Sequence, residues 1–176
     1  MNKYLYQMKK LIALLIVLTL SGCKSMMENQ TVSKTNINST LDAWHKAAAD
    51  ANYNAYFALM ADDAVFIGTD ATENWNKNAF QVWAKPFFDK GKAWSFTALE
   101  RHIYFDETGK TAWFDELLDT QMKICRGSGV LVKIGKEWKI KHYVLSMTIP
   151  NDNLNEVIKV KASLEDAMIK TLKSKQ

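Results

Sequence analysis

Four polar side chains in the C-terminal half of the chain have types and spacing that can do chemistry: Glu116, Arg126, His142 and Ser146. Each falls in a run that alternates like a strand, where successive side chains point to opposite faces. Ala112, Phe114, Glu116 and Leu118 share one face. Ile124, Arg126, Ser128, Val130 and Val132 share another, as do Trp138, Ile140, His142, Val144 and Ser146. Alternation thus places Glu116, Arg126, His142 and Ser146 inward with apolar neighbours. An unpaired charge there is expensive, so these groups must satisfy one another. Two readings stay open: an internal Glu116–Arg126 ion pair with His142 hydrogen-bonded beside it, or convergence on a pocket. In the second, Glu116 or His142 is the general base or acid, Arg126 holds an anionic or carbonyl oxygen, and Ser146 orients.

Other chemistries find less in the sequence. His45, His102 and His142 lie on different elements without a ligand spacing, so no metal is expected. Ser128 in Arg126-Gly127-Ser128-Gly129 sits inside a strand, away from the sharp turn that a nucleophilic serine needs. The two glycines beside it read as a bulge that bends the sheet. Cys125 reads as a small packed residue, since a reactive thiol needs a base or a positive field next to it. No cofactor is expected.

These residues need elements to position them. Ser39 or Thr40 can cap a helix to about Asn52, with Leu41, Trp44, Ala48 and Ala51 on one face. A short helix at 53–60, a short strand at 64–68 and a third helix at 77–90, interrupted or ended near Pro86, follow. From Trp94 the chain reads as a meander of four long strands, 94–105, 111–120, 122–134 and 137–149, joined by compact turns that carry Gly109 and Gly135. A last amphipathic helix follows Pro150. Helices first and consecutive antiparallel strands after is an α+β order, and a curved sheet wrapped on helices leaves a cone with one open end. Six Trp in 176 residues favour an aromatic core, with Trp44 and Trp83 placed to wall a pocket at that end.

The N-terminal segment does different work. Lys9-Lys10 precede an apolar run of about ten residues, too short for a spanning helix of about 20. The run closes on Leu20-Ser21-Gly22-Cys23, which resembles the lipobox of bacterial lipoproteins. That resemblance implies removal of residues 1–22, acylation of Cys23, and a domain held at the cell envelope. Lys24 in place of Asp leans toward the outer membrane, with the domain facing the periplasm. Residues 23–37 read as a flexible tether. Met8 is a second possible start. Cys125 then has no intrachain partner for a disulfide. The net charge of +4 includes Lys3, Lys9 and Lys10 of the leader, so the body is nearly neutral and gives nucleic acid little to bind.

Three stretches, Ala112-Trp113-Phe114-Asp115-Glu116, Arg126 to Lys133 and Trp138 to Ser146, together resemble the SnoaL-like branch of the nuclear-transport-factor-2-like, or ketosteroid-isomerase-like, superfamily. The likeness runs from about Ile37 to Asp152 and implies a cone-shaped α+β domain at 38–152, followed by the helix at 153–176. That fold hosts isomerases, cyclases, dehydratases and binding modules, so fold alone leaves function open. The expectation is a lipid-anchored domain that binds a small, largely apolar molecule. The alternatives are an enzyme that uses Glu116, Arg126 and His142, and a module that dimerises through the sheet face, with Trp113, Leu117 and Leu131 as its outward patch.

Overall fold

A computed structural model describes residues 7–8 and 30–175 of the chain. The expected export signal apart from residues 7–8, Cys23 and the first part of the tether lie outside the described residues. Helix α1 covers residues 30–49, so 30–37, expected to be tether, is helical. Ile37, Leu41, Trp44 and Ala48 recur at helical spacing and are all buried, which ties this part of the chain to the core. Asn52 caps the short α2 (Tyr53–Ala58) by accepting from Ala55 N. Strand β1 (Met60–Ile67) and the short β2 (Asn74–Asn76) form a hairpin. Asn76 then caps α3 (Lys77–Asp89), accepting from Ala79 N, and Pro86 is accommodated inside that helix instead of ending it. Phe80, Ala84 and Phe88, four residues apart, form its buried side.

The meander follows as β3 (Thr97–Phe105), β4 (Thr111–Thr120), β5 (Lys123–Ile134) and β6 (Glu137–Met147). One curved six-stranded sheet results, in the order β2-β1-β6-β5-β4-β3. Its long strands are antiparallel neighbours, whereas β1 runs parallel to β6, a crossover that the meander pattern does not reveal. The helices cover one face. Rings dominate the enclosed core: Trp44 stacks on Tyr56 at 4.8 Å and meets Tyr143 edge-on at 4.7 Å, while Phe66 stacks on Phe80 at 4.1 Å.

A bulge in β6 matters for the site. Val130 pairs with His142 but Leu131 pairs with Ile140, so Lys141 is the extra residue. Before it Trp138 and Ile140 point inward, and after it Tyr143 and Leu145 do. The alternation changes phase by one.

After the 3-10 turn Asn151–Asn153, α4 (Leu154–Lys173) has no buried residue. Its apolar stripe, including Ile158, Leu164 and Leu172, is exposed. No helix among the described residues is long and apolar enough to cross a membrane.

Candidate functional site

Glu116 is where alternation along β4 puts it, pointing inward with its carboxylate fully enclosed. Its company differs from expectation. Arg126 is exposed, because β5 turns Cys125, Gly127, Gly129 and Leu131 inward and its even-numbered residues outward. Arg126 pairs with Ser146 and Val130 with His142 across the outer side, opposite to Glu116. His142 is half-buried there and Ser146 exposed. Two causes combine. Gly127 and Gly129 put no side chain on the inner face, so Ile124, Val130 and Val132 dominate the apolar pattern from the outer one. The extra residue Lys141 then reverses the phase of β6. The glycines have another role than a bulge, since no register shift occurs at either of them. A Cβ on Gly127 would stand 2.3 Å from the Tyr143 hydroxyl oxygen and 2.9 Å from Glu116 Oε1, and one on Gly129 would stand 2.9 Å from the Phe114 ring. Leu131, expected outward, is fully buried.

The partners of Glu116 come from three other elements. Arg101 on β3 is its direct cross-strand neighbour, just as Gly127 is on β5. Arg101 Nε donates to Oε2 at 2.9 Å, and its Nη2 lies 2.8 Å from the same oxygen. His45 Nε2 is 2.8 Å from Oε1. An ionised carboxylate only accepts, so that nitrogen carries the hydrogen. The Tyr143 hydroxyl donates to Oε1 at 3.3 Å. Arg101 reaches on with Nη1 to Asp42 Oδ1 at 2.8 Å and Asn38 Oδ1 at 3.1 Å. Asn38, Asp42 and His45 are spaced four and three apart on α1, a polar line beside its apolar stripe. This network fastens α1 to β3, β4 and β6 of the sheet.

Its electrostatics are those of a closed site. Burial pushes the Glu116 carboxyl up, but the His45 hydrogen bond and the charges of His45 and Arg101 outweigh it and hold the group below the usual carboxylate range. Burial, and then the neighbouring Glu116 charge, raise Tyr143 well above an ordinary phenol, so it keeps its proton. The cluster has the make-up of a general acid–base site without access for a substrate. Neither His45 nor Arg101 stood out by spacing, although the polar line 38, 42, 45 was a usable signal.

A cleft lined by aromatic rings lies elsewhere, on the side of the sheet that α3 borders. It has a volume of about 140 Å³ and is lined by Phe66, Trp75, Phe80, Trp83, Trp94, Phe96, Met122 and Leu145, with Gly68, Thr69, Glu73 and Gln121 as its polar part. Trp75 and Trp83 stack at 4.6 Å, and Phe80 lies 5.6 Å from Trp75 and 5.9 Å from Trp94. Trp83, at 38 % exposure, stands in this wall, whereas Trp44, at 1 %, is core. One ring layer separates cleft from carboxylate: Phe96 lies 5.9 Å from His45, and Phe66 lies 5.6 Å from Tyr143.

A family model described as the SnoaL-like domain matches residues 37–150. The chain belongs to this family. Among solved structures, this SnoaL-like protein is similar to a nuclear transport factor 2-like protein of unknown function from Pseudomonas putida KT2440, with 17 % identity, 70 % of this chain and 92 % of that one covered, and a TM-score of 0.58. It also resembles a nuclear transport factor 2-like protein from Cytophaga hutchinsonii, with 15 % identity, 65 % and 98 % coverage, and a TM-score of 0.55. A Streptomyces avermitilis structure named as a proposed dehydratase matches at 10 % identity, 69 % and 99 % coverage, and a TM-score of 0.59. At such identities the likeness carries the fold alone. No curated protein matches the sequence.

Proposed function

We propose that this SnoaL-like domain binds a small, largely apolar molecule in the cleft between Trp75, Trp83 and Trp94, and that it does so at the cell envelope, tethered through a lipid on Cys23. The observation that carries the reading is the cleft itself: half-exposed rings around a space of about 140 Å³, beside a core otherwise filled with side chains. Concave aromatic surface left open is costly unless something covers it. The enclosed state of Glu116, with Arg126 and His142 on the far side of the sheet, supports binding over an isomerase, cyclase or dehydratase reaction through those three groups.

Native mass spectrometry of the chain purified from its own host tests this. A co-purifying molecule lost in Trp75→Ala and Trp83→Ala but kept in Arg126→Ala and His142→Ala supports the cleft. A molecule lost only in Arg126→Ala or His142→Ala moves the site to the outer face. Incorporation of labelled palmitate that disappears in Cys23→Ser tests the anchor, and density fractionation of the membranes tests the outer-membrane assignment.

A second reading has its own observation. Tyr104 and Trp113 stack at 6.0 Å on the outer face of the sheet, each 47 % exposed, with Leu99 and Ile124 also exposed. Such a patch suits a homodimer through the sheet. Sedimentation of Trp113→Glu against the parent chain tests it: a dimer in the parent and a monomer in the variant is the supporting result.

A further inference from the structure

We infer that the ligand of the aromatic cleft carries a positive charge, an alkylammonium head group seated between the indole rings of Trp75, Trp83 and Trp94 and the carboxylate of Glu73. The inference rests on the ligand-binding reading above and names the polar end of that ligand.

The argument starts from the charge of the wall. Glu73 is the one ionisable side chain among the lining residues, and no Lys, Arg or His is among them. Lys77, two residues beyond Trp75, is engaged elsewhere, its Nζ donating to Met60 O at 3.0 Å and to Asp62 Oδ1 at 3.1 Å. The remaining wall is largely aromatic, and an aromatic face carries the negative lobe of the ring quadrupole. Trp75 and Trp83 are 4.6 Å apart, and Trp83 and Trp94 are 6.3 Å apart, so three indoles bound one small space. Indole is the strongest of the side-chain rings toward a cation within about 6 Å of its centroid. An anion here would meet a carboxylate and an aromatic wall without a donor of opposite charge. A neutral molecule would use the rings and leave Glu73 unanswered. Only a cation is attracted by both.

The carboxylate is also held in place. Glu73 Oε2 accepts from Asp70 N at 3.2 Å, and Gly68 N donates to Glu73 O at 3.0 Å, which closes the loop between β1 and β2. A Cβ on Gly68 would stand 2.1 Å from Oε2, so the carboxylate rests against backbone that only glycine leaves bare. Size agrees, because about 140 Å³ is small beside the roughly 300–1,000 Å³ of sites for drug-sized ligands, and suits a head group instead of a whole large molecule.

The test is titration of the full chain with choline and with its neutral carbon isostere 3,3-dimethylbutan-1-ol, followed by tryptophan fluorescence. The expected result is choline binding at least about tenfold tighter than the alcohol, which the cation–π range and one carboxylate readily supply. Glu73→Gln is expected to reduce that preference several-fold while alcohol binding persists, the rings keeping their share of it. Gly68→Ala keeps the charge but displaces it from its resting place, and is expected to reduce the preference several-fold. Equal binding of the two probes overturns the cation, a preference unchanged in Glu73→Gln overturns its seat beside that carboxylate, and either leaves the ligand cleft standing. Binding of neither probe overturns the inference and counts against the reading it rests on.

Discussion

Replacing Glu116 by Leu removes the centre of the buried network and leaves Arg101 inside without its main partner. Arg101 is 7 % exposed and Glu116 fully enclosed, so little water can step in. Breaking one half of such a pair costs about 3–5 kcal/mol, most of it the orphaned charge. Asp42 still faces Arg101 Nη1, but its side chain is 65 % exposed and its attraction is screened, so the low end, about 3 kcal/mol, is expected. For a domain of this size that is a fall in Tm of about 6–12 °C. Arg101→Met alone should cost a similar amount, because Glu116 then keeps His45 and Tyr143 but loses its permanent countercharge. The double change Glu116→Leu with Arg101→Met leaves no orphaned charge of this pair, although His45 and Tyr143 still lose their acceptor, and the pair should recover about 2–4 kcal/mol of the summed losses. The assay is urea unfolding of the four chains of this cycle at pH 7. Single changes each within about 1 kcal/mol of the parent, or a double change that simply adds, would refute the claim that a closed ion pair fastens α1 to the sheet.

Protonation should mimic that substitution. The folded pKa of Glu116 lies below its ordinary, unfolded value, so its contribution is present above about pH 4.3 and is lost as pH falls through the lower folded value. Parent and Glu116→Gln stabilities should therefore converge on acidification below pH 4, checked by unfolding at pH 7 and pH 3. Gly127→Ala forces a methyl group onto the Tyr143 hydroxyl and Glu116, and calorimetry should show a loss of about 1–3 kcal/mol. Arg126→Ala sits on the outer face and should stay within about 0.5 kcal/mol of the parent in the same measurement. Ending the chain after Asn153 removes a helix with no buried residue, so the melting transition of the body should move by less than about 2 °C.

What could be read from the sequence depended on whether side chains were there to carry the pattern. In β4 the inner positions Ala112, Phe114, Glu116 and Leu118 contrast with outer Trp113, Asp115 and Asp119, and the face assignment follows directly. In β5 the inner face is built partly of glycine, because Tyr143, Glu116 and Phe114 need the space a Cβ would take. Periodicity counts side chains, so it credits the wrong face. A single inserted residue in β6 then moves His142 and Ser146 out and Tyr143 and Leu145 in, the slip that a period of two makes total. Arg101 was out of reach for a third reason. Its meeting with Glu116 depends on the β3–β4 register, which itself shifts between Ala98 and Glu100. The start of α1 was lost to composition, since residues 30–36 are polar apart from Val32, which is exposed, while the buried position among them is a serine, Ser33.

The two polar features of the interior therefore answer to different demands. Glu116 accepts three hydrogen bonds within 3.3 Å, has Arg101 Nη2 at 2.8 Å as a further charge contact and no open side, and a carboxylate so satisfied has nothing left for a ligand. The Glu73 carboxylate has one hydrogen bond from its own loop and lines a cleft of rings. The first arrangement spends its interactions on one rigid geometry, and the second keeps them available. Substitutions should divide accordingly. Changes at Arg101, His45, Glu116 or Gly127 shift the unfolding transition and reach a ligand only by loosening the wall through Phe96 and Phe66. Changes at Glu73, Trp75 or Trp83 alter occupancy of the cleft at nearly constant stability, since these side chains are already partly in water. A variant of the second group that unfolded the domain as readily as Glu116→Leu would mean that cleft and network are one structure, and that the cleft is only the unfilled edge of the core.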